Sequence, residues 1–237
     1  MSARESGRVP VIGILVGSTR PVRVGRQLAD QIAELARLRS EADITVLDLA
    51  EVDLPLLDEP QMPAKGDYQH EHTRAWKRTI DGLDAVIVVS PQYNGGYPAS
   101  LKNAIDTLYA EWRDKPVLLV TYGYHGGSSA ADQLAVVFSV VRANLLKPRV
   151  EITATDGDRD AAGHLSNPCD LVERHRAALE VGFAAIHAAL GCSQQQAPLR
   201  PPGKGTSCPM SRSASTKTSA ATRPASTANS PDSPNIS

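Results

Sequence analysis

One feature constrains the fold of this chain more than any other. Short apolar runs alternate with stretches of helical period, five times over. Val11–Val16, Ile44–Leu49, Val86–Val89, Val117–Val120 and Val150–Ile152 read as strands, rich in β-branched residues. Apolar residues then recur at helical spacing in five stripes: Leu28, Ile32, Leu35 and Ala36; Trp76, Ile80 and Leu83; Leu101, Ala104, Ile105, Leu108 and Trp112; Leu134, Val137, Phe138, Val141 and Leu145; Leu179, Phe183, Ile186 and Leu190. Parallel strands need a long crossover, and a helix supplies it. The pattern therefore predicts an α/β fold: a doubly wound, five-stranded parallel sheet with helices on both faces.

The strands also carry their order. The first, third and fourth are apolar throughout, as strands covered on both faces are. The second includes Thr45 and Asp48, and the fifth alternates Arg149, Val150, Glu151, Ile152, so these two read as edges. Order 2-1-3-4-5, the flavodoxin-like arrangement, meets that requirement. Order 3-2-1-4-5 would put the wholly apolar third strand at an edge. In the favoured order a ligand belongs outside the carboxyl ends of strands 1, 3 and 4, at the switch point between strands 1 and 3.

Composition sets the boundaries. From Ser193 to Ser237 there is no aromatic residue, and Ser, Thr, Pro and Ala fill 28 of 45 positions. Such a segment buries too little apolar surface to offset its ordering entropy. We expect a polar N-terminal extension over 1–9, one domain over 10–192, and a disordered tail over 193–237. The tail carries five basic residues and one acid, so the net charge of -1 for all 237 residues leaves about -5 elsewhere. A chain so balanced is not built to coat nucleic acid. No apolar run has the length of a membrane helix, and no secretory cleavage pattern is legible. Cys169, Cys192 and Cys208 lack metal-type spacing and fit reduced thiols, so a cytoplasmic protein is expected.

Three loops follow the inner strands. The first, Gly17-Ser18-Thr19-Arg20-Pro21-Val22-Arg23-Val24-Gly25, runs into a helix. A phosphate there would meet unpaired N–H groups, hydroxyls and arginines. The loop is neither a Walker A sequence nor G-x-G-x-x-G. The second, Ser90-Pro91-Gln92-Tyr93-Asn94-Gly95-Gly96-Tyr97-Pro98, lets backbone approach a flat ligand between two tyrosines; Asn94-Gly95 also favours a turn. The third, Thr121-Tyr122-Gly123-Tyr124-His125-Gly126-Gly127-Ser128-Ser129, again exposes backbone donors. Each loop alone is a weak signal; together at one sheet edge they mark a site.

These segments resemble the NADPH-dependent FMN reductase family, flavodoxin-like flavoproteins that include azo, quinone and chromate reductases. Gly17-Ser18-x-Arg20 with Arg23-Val24-Gly25 is similar to the family's FMN-phosphate loop. Pro91-Gln92-Tyr93-Asn94-Gly95 and Tyr122-Gly123-x-His125-Gly126-Gly127 are similar to its flavin loops, and Leu54-Pro55-Leu56-Leu57-Asp58-Glu59-Pro60 to the stretch after its second strand. The resemblance implies that Ser18, Arg20, Arg23, Val24 and Gly25 hold the phosphate of FMN. Pro91, Gln92, Tyr93, Asn94, Gly95, Gly123, His125 and Gly126 would hold the ring. It further implies NADPH or NADH as hydride donor, a small-molecule acceptor, and a homodimer or dimer of dimers. Gln92 stands where many members have Glu, and Tyr124 where close relatives often have Gly.

The implied reaction is ping-pong hydride transfer through FMN to a quinone, azo compound, metal oxyanion or flavin, with no catalytic acid–base residue. His125 and Tyr93 fit flavin-flanking or packing roles. His70 and His72 lack a third ligand for a metal, and Trp76 and Trp112 fall on core stripes. Two further functions stay open: an electron carrier of flavodoxin type, and a flavin-binding regulatory module that uses its basic tail. A carrier's docking face is usually strongly acidic, and the mild charge here favours the enzyme.

Overall fold

A computed structural model describes residues 8–191; the tail expected over 193–237 and residues 1–7 of the extension lie outside them. The sheet is wholly parallel. It contains β1 (Val11–Val16), β2 (Asp43–Asp48), β3 (Ala85–Pro91), β4 (Pro116–Gly123), β5 (Asn144–Leu145) and β6 (Val150–Thr153). The order is β2-β1-β3-β4-β5, with β6 also paired to β4. Every residue of β3 is buried, whereas β2 is mostly half-buried. Coverage on both faces therefore separates centre from edge, as the composition of the strands implies.

The fifth position departs from the expected single strand. Its ladder is broken into β5 and β6, which pair with Pro116–Val117 and Val120–Gly123 of β4. Pro148 stands between them and has no N–H to donate, so the ladder cannot run through.

Helices cover both faces. On one side α1 (Gly25–Arg39), α6 (Pro168–Arg174) and α7 (Arg176–Ala189) pack on Ile12, Ile14, Ile87, Leu118 and Val120. On the other, α3 (Glu71–Asp81), α4 (Ala99–Asp106) and α5 (Ser128–Val140) pack on Leu15, Val86, Val88 and Leu119. Short α2 (Leu49–Val52) follows β2, capped by the Asp48 carboxylate, which accepts the Ala50 N–H. Side chains alternate across a strand, so each inner strand feeds both cores.

Two helical stripes run well past the ends of their helices. The stripe from Leu101 to Trp112 predicts one helix; α4 ends at Asp106, and Ala110–Trp112 is a 3-10 turn. Two carbonyls at the end of α4 accept indole N–H groups. Trp76 donates its indole N–H to Ala104 O at 2.8 Å, and Trp112 to Ile105 O at 3.0 Å. Both indoles are buried, with Trp112 edge-on to Phe138. Leu145 likewise leaves its helical stripe. The chain turns at Arg142, which has φ 59°, and Leu145 joins β5 opposite Val117. In both stripes the periodicity records burial beyond the point where the helix ends.

Candidate active site

The three glycine-containing loops meet at the carboxyl edge of β1, β3 and β4. Gly17 N–H bonds Val89 O, and Gly17 O accepts the Ser100 hydroxyl at 2.7 Å, tying the first loop to β3 and α4. The buried Ser18 hydroxyl lies 2.7 Å from the Tyr93 hydroxyl, joining the first loop to the second. Gln92 N–H bonds Tyr122 O, joining the second to the third.

The first loop delivers α1 with its leading N–H groups uncapped. Val24 at the cap position is buried and makes no side-chain cap bond, and no acid stands in the first turn. Such an end favours an anion. Gly25 starts the helix at close quarters. A Cβ there would stand 2.7 Å from the Tyr122 hydroxyl, itself buried beneath this turn. Burial, with Tyr93 nearby, pushes the Tyr122 phenol up, against the pull of Ser18, Arg159 and Arg23. The tyrosine is therefore a neutral, hydroxyl-bearing floor.

The two arginines of this loop part company. Arg20 is exposed, its guanidinium carbon 6.0 Å from the Tyr93 ring centroid in a cation–π arrangement. Arg23 pairs with the fully buried carboxylate of Asp48 and donates to Arg20 O at 3.2 Å. Its charge is thus offset within the chain, so it is not the free phosphate clamp that the sequence suggests. Its Nε, however, is buried with no hydrogen-bond partner. An acceptor from outside the chain would satisfy that N–H. An uncapped helix start, an unsatisfied arginine N–H, a free Arg20 and a glycine-shaped floor together fit a phosphate ester.

The second loop is a tight hairpin. Tyr93 and Gly96 exchange both backbone bonds, at 2.8 and 2.9 Å, around Asn94 and Gly95 with φ 50° and 81°. That is the Asn-Gly turn the sequence allows. Gln133 of α5 donates to Gly95 O at 2.8 Å and fixes the tip. Pro91 closes β3 opposite Tyr122. The Gln92 side-chain oxygen accepts the Ala130 N–H at 3.2 Å, so it caps α5.

In the third loop, Gly126 N–H bonds Gly123 O, leaving Tyr124 and the exposed His125 at the corners. Gly123 ends β4. The Cβ direction at Gly126 is filled by Glu151, and that at Gly127 by Thr121, so these two glycines serve the loop's return. Tyr124 hydrogen-bonds Asp156, which draws its ring toward the segment after β6. The flavin-site residues that the resemblance implies thus lie in three loops at one edge. Three residues that support this edge carry little sequence signal: Asp48 ends β2, Ser100 opens α4, and Gln133 lies inside α5.

His70 and His72 stand apart from this edge. Their rings stack at 5.2 Å, and His72 bonds the Asp58 carboxylate at 2.9 Å. Among the described residues no helix is long and apolar enough to cross a membrane.

A family model described as NADPH-dependent FMN reductase matches residues 10–155. The chain belongs to that family. It is 44% identical over 146 residues to an NAD(P)H-dependent FMN reductase of Schizosaccharomyces pombe, covering 61% of this chain and 70% of the relative. It is 41% identical over 146 residues to one from Saccharomyces cerevisiae, covering 57% and 76%. A quinone reductase of Pseudomonas putida is 35% identical over 130 residues, covering 50% and 64%. Among solved structures, the flavoenzyme NAD(P)H:(acceptor) oxidoreductase FerB of Paracoccus denitrificans superposes with a TM-score of 0.59 at 23% identity. That superposition covers 76% of this chain and 99% of FerB, a likeness of fold.

Proposed function

We propose that this FMN reductase family member is an FMN-dependent NAD(P)H oxidoreductase whose acceptor is a small quinone-type molecule. The observation that carries the reading is the uncapped start of α1, with the orphaned Arg23 Nε beside it, at the one edge where three glycine-containing loops converge. When bound, FMN supplies the group that takes hydride from NAD(P)H and passes electrons to the acceptor. The residues of the chain do the rest. Ser18, Arg20 and the first N–H groups of α1 would receive the phosphate. The Tyr93–Gly96 hairpin would lie along the ring, held by Gln133 and by the Ser18–Tyr93 bond. The turn from Gly123 to Gly126 would offer backbone donors to the polar end of the ring. Preorganised donors of this kind stabilise negative charge without reorganising at the moment of reaction.

His125 is exposed at the corner of its turn and Tyr93 is spent on Ser18, so neither is assigned a proton-transfer role. The quinone reductase among the relatives supports the acceptor class, and open access to the loops supports one site used in turn by donor and acceptor. Bisubstrate kinetics tests this. NADPH oxidation with a benzoquinone should give parallel double-reciprocal lines and depend on added FMN in the stripped protein. Intersecting lines would exclude alternating use of one site. Absence of turnover with bound FMN would favour an electron carrier.

A further inference from the structure

We propose that Arg159, from the segment that follows β6, supplies a second cation to the phosphate end of the site; this rests on the FMN reading above. A phosphate monoester carries about −1.5 to −2 at neutral pH. The cations near the start of α1 fall short of that. Arg23 is paired with Asp48, and Arg26 is shared among Asp30, Asp48 and Glu51. Of these three arginines, Arg20 alone is without a carboxylate partner among the described residues.

The segment after β6 crosses from the third loop to the first. At one end Tyr124 holds Asp156. At the other, Gln27 of α1 and Leu165 exchange bonds at 2.8 and 3.2 Å. Between them Arg159 and Leu165 form an antiparallel bridge, and a Cβ on Gly163 would lie 3.3 Å from Val22 Cγ1. The half-buried Arg159 donates to Gly163 O at 3.3 Å, which holds its guanidinium at the glycine that faces Val22.

The carboxylates around Arg159 are engaged elsewhere. Asp156 accepts from Tyr124. Asp158 pairs with Arg174 and takes the Thr155 N–H, and Asp160 takes the N–H groups of Ala162 and His164. Among the described residues Arg159 makes no ion pair. The Tyr122 hydroxyl, on the floor under α1, feels the charges of both Arg159 and Arg23. Arg159 also lies beyond the stretch 10–155 that defines the family match.

The test compares FMN with riboflavin, which lacks the phosphate, by flavin fluorescence quenching on the full-length apoprotein. Arg159→Ala should weaken FMN about tenfold to a hundredfold, the range of one charge-assisted hydrogen bond. Riboflavin affinity should hold, the salt dependence of FMN binding should flatten, and Arg159→Lys should recover part of the loss. Unchanged FMN affinity, or equal weakening of FMN and riboflavin, would overturn the proposal. So would a changed preference for NADPH over NADH with FMN affinity intact, which would move Arg159 to the dinucleotide. If the unaltered protein bound neither flavin, the FMN reading itself would fall, and this proposal with it.

Discussion

Gly95 and Gly127 offer a controlled comparison inside the candidate site. Their backbones are nearly the same, φ 81° and 82°, but their surroundings differ. A Cβ on Gly95 meets nothing within 4 Å, whereas one on Gly127 meets Thr121 Cβ at 3.0 Å and Tyr122 N at 3.2 Å. Alanine in the left-handed region costs about 1–2 kcal/mol. Loss of glycine's freedom in the unfolded chain returns about 0.4–1 kcal/mol. Those two contributions are common to both sites. Overpacking against a strand backbone adds about 1–3 kcal/mol at Gly127 alone. Gly127→Ala should therefore be about 1–3 kcal/mol less stable than Gly95→Ala, roughly 2–12 °C in Tm for a domain of this size. Urea unfolding of the two apoproteins, without flavin, measures the difference directly. Equal stability would refute the claim that the third loop is packed against β4 through a space only glycine fits.

Asp48→Ala removes a buried counter-charge and the cap of α2; a loss of about 2–4 kcal/mol is expected by urea unfolding, reduced from a fully buried pair because Arg23 and Arg26 retain solvent contact. Asp48→Asn keeps the cap oxygen and should recover about 1 kcal/mol of it. Asn103 accepts Leu57 N–H and donates to Pro55 O, so Asn103→Ala should release this loop and speed chymotryptic cleavage at the exposed Leu56 and Leu57. Burial lowers the His187 imidazole, so the unfolded chain takes a proton first as pH falls below about 6.5. Stability should therefore decline with falling pH until the folded imidazole also protonates, and His187→Gln should remove that part of the slope in denaturation curves between pH 7 and 5.

The strand order was legible because burial on both faces selects continuous apolar runs, and β1, β3 and β4 have them. The loops were legible because glycine, tyrosine and arginine cluster after those same strands. The end of α4 was not. Leu108 and Trp112 keep helical spacing and are buried, but the chain leaves the helix after Asp106, where indole N–H groups of Trp76 and Trp112 bond Ala104 O and Ile105 O. The Arg23–Asp48 pair was hidden for a similar reason. It joins residues 25 apart that only the parallel pairing of β1 with β2 brings together. Tyr122 reads as part of the third loop, but it belongs to β4, and the close approach of Gly25 gives its hydroxyl a place under α1.

The central claim is that this edge holds FMN and accepts hydride from NAD(P)H. An absorbance spectrum of the purified protein, followed by anaerobic titration with NADPH, tests it most directly. Flavin bands, present as isolated or after addition of FMN, are expected to bleach as NADPH is added. A protein that takes up no FMN, or whose flavin bands persist through excess NADPH and NADH, would contradict it.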